Sequence, residues 1–301
     1  MNYVSDREEM LLPGPARALG ALLGVPVPDL AGGAGIPLLW HWVYLLEQPA
    51  QRDLGPDGST LSGVMAACSG LRGRRMWAGG CVRTSGPLTC GLMATKRSRV
   101  LTVQEKHGES GPLTFIKTEH QILQRDQIVV DEKQDIVYRE AAPAPGQPPG
   151  SPVAVRTASA PDVEWAIEIS PALLFRFSAL TYNAHRIHYD RDYARDVEGY
   201  PGLVTHGPLQ ALVMAETARA TGYPGGARLH FDYRLTSPLF DHQGLVASAD
   251  KKKDAIATTV RDACGRSTAA GLLRALADGP QAGADSFSAC RDAVQPAPGK
   301  S

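Results

Sequence analysis

Two stretches of this chain echo one another. Arg83-Thr84-Ser85-Gly86-Pro87-Leu88 resembles Arg234-Leu235-Thr236-Ser237-Pro238-Leu239. Downstream, LMATKR from Leu92 matches LVASAD from Leu245 more loosely, in nearly the same register. An echo at a period of about 150 residues points to two copies of one supersecondary unit. Between the copies, residues 141–162 read AAPAPGQPPGSPVAVRTASAPD. Proline there fixes φ and removes backbone donors, so the stretch reads as an extended linker. The expected organisation is a first domain over 1–145, a linker over 146–162, a second domain over 163–278 and a mobile tail over 279–301.

Both copies carry strand-like patterning. CVRTSGPL, LMATKRSRVLTVQEKHG, LTFIKTEHQILQRD and QIVVDEKQDIVYRE alternate or carry β-branched runs between turn residues. So do ARLHFDYRLTSPL, LVASADKKKD, AIATTVRDA and STAAGLLRAL in the second copy. Residues 8–24 read as a short helical segment broken by proline and glycine. The block PLLWHWVYLLEQ from Pro37 reads as core packing, on a helix or a strand. Residues 49–59, with GPDG, form a loop. Pro208 suits the first turn of a helix over PLQALVMAETARA, expected to bury one face.

Composition excludes several classes. Apolar residues make up 43% of the 301 positions, enough to bury a core. Lys plus Arg equals Asp plus Glu, 31 against 31, which argues against nucleic acid or an anionic membrane as main partner. The same neutrality weakens repulsion between copies, and a homodimer is the expected assembly. Cysteines 68, 81, 90, 264 and 290 are odd in number and lack C-x-x-C spacing, suggesting neither a disulfide framework nor a zinc site. No apolar run reaches the ~18 residues of a membrane span. The expectation is a soluble cytoplasmic protein.

The chemistry concentrates in FRFSALTYNAHRIHYDRDYARDVEGYPGLVTHGPLQ, Phe175 to Gln210, which holds three of the eight histidines. Neutral imidazole moves protons near pH 7. Asn183 offers a donor and an acceptor and can hold a water or fix a ring. His185, His188, His206 and Asp190 could instead ligate a metal, but their spacing matches no metalloenzyme motif, and no metal is assigned. The plainer alternative is a binding-protein loop with solvated histidines. His41, His107, His120, His230 and His242 are read as surface or satisfied core. The N–H of Gly207, at the expected helix start, can stabilise an oxyanion.

These residues carry a resemblance. YNAHRIHYDRDYA followed by YPGLVTHGPLQ resembles the signature of MaoC-like, hotdog-fold enoyl-thioester hydratases and dehydratases, in which Asp-x-Asn-Pro-Ile-His is followed by His-Gly. RRMWAGG, RTSGPL, EKHGESGPLTF and QDIVYRE resemble the non-catalytic first domain of two-domain members. Those members include mesaconyl-CoA (3-methylfumaryl-CoA) hydratases and type 2 hydroxyacyl-thioester dehydratases. The resemblance implies an α+β double hotdog, each half a curved antiparallel sheet around a central helix.

It also implies a hydro-lyase on an acyl-CoA thioester, with no cofactor. The family histidine falls on His188, the family aspartate on Asn183 and the oxyanion glycine on Gly207. An amide cannot take a proton as a carboxylate can. Either His188 serves as both base and acid while Asn183 places the water, the reading favoured here, or Asp190 or another group supplies a carboxylate behind His188. His185, Arg186, Tyr189, His206 and Arg234 are second-tier candidates for meeting substrate. Rival readings are a fatty-acid-type dehydratase on CoA or acyl-carrier protein, a hotdog thioesterase using Glu216, and a non-catalytic acyl-CoA-binding protein.

Overall fold

The computed structural model describes residues 4–61, 74–108, 111–139, 160–222 and 228–276. The expected linker falls mostly, and the expected tail wholly, outside them. In the first half the strands are β1 (Val4–Met10), β2 (Arg74–Thr84), β3 (Met93–Gly108), β4 (Gly111–Gln124) and β5 (Gln127–Arg139). In the second they are β6 (Val163–Ile167), β7 (Leu229–Leu235), β8 (Leu245–Lys252), β9 (Ala255–Arg261) and β10 (Ser267–Ala275). All ten join one sheet in the order β1-β3-β4-β5-β2-β7-β10-β9-β8-β6. The order is a mirror about the β2–β7 seam: β6 stands where β1 does, β8 for β3, β9 for β4, β10 for β5. The echoed segments fall at the ends of β2 and β7, equivalent positions, so the duplication read from sequence is the architecture. It is the expected α+β double hotdog.

At the seam β2 and β7 run antiparallel, from Gly79 opposite Arg234 to Thr84 opposite Leu229. Val82 faces Phe231 there, and both are fully buried. Phe231 stacks on Tyr233, ring centroids 5.7 Å apart. The seam therefore joins the two halves through core side chains as well as through the backbone ladder.

Helix α3 (Gly207–Ala220) lies against β6, β8, β9 and β10 and reaches β2. The expected single buried face is an understatement, because every residue from Leu209 to Ala218 is buried. The helix is enclosed, so its polar residues need partners inside the protein. Gln210 Oε1 accepts from Thr268 Oγ1 at 2.7 Å, and Thr217 Oγ1 donates to Met214 O at 2.9 Å. Glu216 accepts from Trp40 Nε1 at 2.8 Å and pairs with Arg219.

Elsewhere local patterns misled. The first helical segment divides into strand β1 and helix α1 (Pro13–Leu23). FRFSAL belongs to a helix that was not expected there, α2 (Pro171–Leu180), capped by Ser170 Oγ accepting from Leu173 N at 3.2 Å. PLLWHWVYLLEQ is neither long helix nor strand but core around one 3-10 turn, Trp40–Val43. His41 and His120 are satisfied core as read: His41 Nε2 lies 3.0 Å from Glu132 Oε2, and His120 Nδ1 lies 2.8 Å from Ser98 Oγ. Cys81 on β2 is disulfide-bonded, although the cysteine spacing suggested no disulfide framework; Cys90 and Cys264 are free.

Replacing Phe231 by Ala at the seam is expected to cost about 3–5 kcal/mol. The check is a lower urea midpoint at unchanged slope. An unchanged midpoint would contradict the packing described.

Candidate active site

The candidate site starts where α2 ends. Tyr182 takes a left-handed φ of 52°, and Asn183 N donates back to Ser178 O at 2.8 Å. Asn183 Oδ1 then accepts from His185 N at 3.0 Å, an Asx turn that leads into a 3-10 turn over Arg186–His188. The amide oxygen is thus committed to the backbone, and the side-chain NH2 is the part of Asn183 left for a ligand. Tyr189 OH donates to Ala184 O at 3.1 Å and closes the loop.

His188 is held from the other side. Val204 N donates to Ile187 O at 2.9 Å, and His188 Nδ1 lies 2.7 Å from Val204 O. A carbonyl only accepts, so Nδ1 carries the proton and Nε2 of the neutral ring carries the lone pair. His206 stacks under His188 with centroids 3.6 Å apart at 18°, and its Nε2 lies 2.9 Å from Ser178 Oγ. His206 has no exposed surface, so its ring supports His188 from behind. His185 meets His188 edge-on at 5.6 Å.

His206 is also the N-cap of α3, with no side-chain cap bond. The first N–H groups of the helix have no intrahelical partner and lie at the positive end of its dipole. Gly207 opens the helix beneath a crowded seam, where a Cβ would lie 2.8 Å from Leu235 Cδ1 and 3.4 Å from Trp77 Cβ. A side chain there would have to push Leu235 aside and would crowd the approach to this N–H.

The first half contributes a carboxylate that sequence reading missed. Asp57, in the GPDG loop, places Oδ2 3.6 Å from His185 Nε2, while its Oδ1 accepts from Ser59 N at 3.0 Å. Arg186 fastens the loop: its N donates to Asp57 O at 2.8 Å and its Nη1 to Pro56 O at 3.1 Å. Gly58 has φ 81°, and a side chain there would collide with Ala184 O. A glycine in a turn was the available signal, but nothing in the chain tied that turn to a site some 130 residues away.

Other candidates land elsewhere. Asp190 does not stand behind His188: it pairs with Arg186 at 2.8 Å and accepts from Tyr193 N at 3.0 Å. Arg186 is spent on that pair and lies over the Tyr193 ring at 4.0 Å. Arg234 is exposed, on the opposite face of β7 from Leu235, the residue that crowds Gly207. Among the described residues the grouping with metal-ligand geometry is Cys81, His230 and Asp232 on β2 and β7, where the Cys81 sulfur is in its disulfide.

Burial sets the protonation. It pushes His188 down from 6.5 to about 3, helped by His185 and opposed by the Val204 carbonyl. Burial likewise pushes His185 down to about 4, with Arg75 acting in the same direction and Asp57 against it. His206 is lowered well below its ordinary value by burial and by the other two histidines. All three rings are neutral at pH 7.

A mirrored ten-stranded sheet around an enclosed helix defines the class, and known structures share it. A double-hotdog protein of Mycobacterium tuberculosis matches with TM-score 0.56 at 15% identity, covering 91% of this chain and 96% of that one. A MaoC-like dehydratase from Phytophthora capsici matches with TM-score 0.65 at 16% identity, covering 92% and 96%. In sequence, a mesaconyl-C(4)-CoA hydratase of Chloroflexus aurantiacus is 42% identical over 229 residues, 75% of this chain and 79% of that protein. The mitochondrial hydroxyacyl-thioester dehydratase type 2 of Schizosaccharomyces pombe is 31% identical over 198 residues, 57% and 63% of the two chains. The family model for hydroxyacyl-thioester dehydratase type 2 matches residues 39–241. The chain belongs to that family and is an enzyme of the hydro-lyase class. No described helix is long and apolar enough to cross a membrane.

Two outcomes follow from this geometry. An unfolded histidine binds protons near 6.5 while His185 and His188 wait until about 4 and about 3, so stability falls as pH drops below 6.5. Thermal melts should therefore drop between pH 7 and pH 5, while kcat/KM shows no break near 6.5; a histidine-like break there would contradict the neutral cluster. Gly58→Ala should lower kcat/KM about 10-fold or more by displacing the Asp57 loop, measured beside a melting curve showing the fold intact. Unchanged kcat/KM would contradict the loop's role.

Proposed function

We propose that the protein hydrates the α,β double bond of a short, branched, dicarboxylic enoyl-CoA of the mesaconyl type, and catalyses the reverse dehydration. The observation that carries this reading is the neutral His188 ring, whose Nδ1–H is tied to the Val204 carbonyl and whose Nε2 lone pair remains for a proton. The thioester oxygen accepts from the Gly207 N–H at the start of α3. The NH2 of Asn183 donates to the attacking water. His188 Nε2 takes a proton from that water as its oxygen bonds to the β-carbon. Negative charge then gathers on the thioester oxygen, where the helix N-terminus stabilises it. The imidazolium returns its proton to the α-carbon, so one residue acts as base and then acid.

His185, with Asp57 behind it and His188 beside it, shapes the loop on the water side. The mesaconyl substrate is supported by the 42% identity to the Chloroflexus hydratase. The family description and the fission-yeast relative support dehydration of a 3-hydroxyacyl thioester as the second reading. The thioesterase reading loses its carboxylate, since Glu216 is buried against Trp40 and Arg219.

The test follows enoyl-thioester absorbance across a panel of enoyl-CoAs, with free thiol assayed in parallel. Double-bond loss without thiol release is expected, fastest with mesaconyl-C4-CoA; thiol release alone would sink the proposal. His188→Ala should lower kcat by about 10²–10⁴-fold. Asn183→Ala should lower it less, because it removes only the placement of the water.

A further inference from the structure

A mesaconyl group joined to CoA through C4 carries a methyl and a free carboxylate on the carbon that receives the hydroxyl. A site for such a group needs a cation close to the proton-transfer residues, and the histidine loop does not spare one. Arg186 is committed to Asp190, Arg191 to Asp241, and Arg195 to Asp192 and Asp196. A candidate cation stands on the other half of the chain.

Arg75 lies near the start of β2, paired across the sheet with Tyr138. Its neighbour Met76 points outward and is exposed, so Arg75 and Trp77 share the other face of the strand. Trp77 Cβ is the atom 3.4 Å from the place a Cβ would take on Gly207. Arg75 is one pleat further along, roughly 7 Å by strand geometry. A β-bulge between Trp77 and Gly79 breaks the ladder beside it, the kind of irregularity that re-aims side chains.

The charge environment separates Arg75 from the arginine next to it. Arg74, on the same face of the strand as Met76, pairs with Glu198 at 3.2 Å and lies over the Tyr200 ring at 5.0 Å. Among the described residues the Arg75 side chain has no hydrogen-bond or ion-pair partner, although it is half-buried. Its positive charge is felt at His185, where it acts opposite to Asp57. A half-buried guanidinium without a carboxylate, beside a proton-transfer cluster, is set up to receive an anion. The guanidinium fork matches a carboxylate with two parallel N–H donors.

We infer that Arg75 binds the second carboxylate of the acyl group, making it the residue that selects a β-carboxylated enoyl thioester over an uncharged one. This rests on the substrate reading of the preceding subsection. A CoA phosphate would present similar chemistry, but it sits at the far end of the pantetheine arm, whereas Arg75 borders the residues that meet the reacting carbons. The pair also serves the reaction, because a carboxylate's charge on the β-carbon opposes attack there and the guanidinium offsets it.

The experiment compares the wild type with Arg75→Gln and Arg75→Lys, each checked by its melting curve. The reacting pair is mesaconyl-C4-CoA and 3-methylcrotonyl-CoA, in which a methyl replaces the carboxylate. The non-reacting pair is succinyl-CoA and butyryl-CoA, whose affinities are read by calorimetry. Arg75→Gln should lower kcat/KM for mesaconyl-C4-CoA about 10- to 100-fold and change that for 3-methylcrotonyl-CoA by no more than about 3-fold. It should also abolish the preference for succinyl-CoA over butyryl-CoA, while Arg75→Lys keeps part of both effects.

Equal losses on both substrates would place Arg75 on the CoA arm and overturn the inference, as would no loss on either. If the wild type fails to hydrate mesaconyl-C4-CoA, the substrate reading falls. The succinyl and butyryl affinities then still decide Arg75: an Arg75-dependent preference for the carboxylate upholds the inference, and its absence overturns it.

Discussion

The site depends on one hydrogen bond, from His188 Nδ1 to the carbonyl of Val204. Around it, Val204 N is bonded to Ile187 O and Thr205 N to Leu239 O, so the carbonyl belongs to a fixed strand of backbone. The bond settles the tautomer, and burial keeps the ring neutral. His206 beneath it and Gly207 next in the chain tie the same ring to the start of α3. The proposed proton carrier and the proposed oxyanion donor are thereby built on one short segment, so the proposed mechanism does not require two independent elements to be aligned.

The duplicated fold supplies what that segment lacks. The mirrored sheet places the first half across the seam from α3, and its side chains border the candidate site. Trp77 on β2 flanks Gly207, and the loop at Asp57 reaches His185 through a turn that Gly58 makes passable. The first half also carries a buried polar group, in which Glu132 is held down to about 2 despite its burial, chiefly by His41. That group is fully engaged with His41, Trp42 and Gln134 and belongs to the core of its own half.

Much of this was legible in the chain. Strands β3–β5 and β7–β10 follow alternation and turn residues closely, and the echo at Arg83 and Arg234 announced the two-fold architecture because equivalent strand ends need equivalent turns. What failed was whatever tertiary contact decides. Helix α2 packs Leu173, Leu174, Phe177 and Leu180 against the core, but ten residues are too short a run to stand out in the sequence, and α3 is enclosed where a one-sided helix was expected. Asp190 looked available from sequence and is taken by Arg186 four residues earlier. Asp57 and the Val204 carbonyl were invisible, one because it comes from the other half, the other because a backbone oxygen has no letter in a sequence. Asn183 at the aspartate position was legible as a problem, and the geometry gives its oxygen a definite use: it accepts from His185 N and holds the loop.

The central claim is that His188 is a neutral ring protonated on Nδ1, with Nε2 free to take a proton. Nitrogen-15 chemical shifts of the His188 ring, assigned by comparison with His188→Gln and followed from about pH 8 to about pH 5, test it directly. The account predicts a protonated Nδ1 and an unprotonated Nε2 throughout, because the ring gains its second proton only near pH 3. A proton on Nε2 at pH 7, or a titration near 6.5, would contradict it.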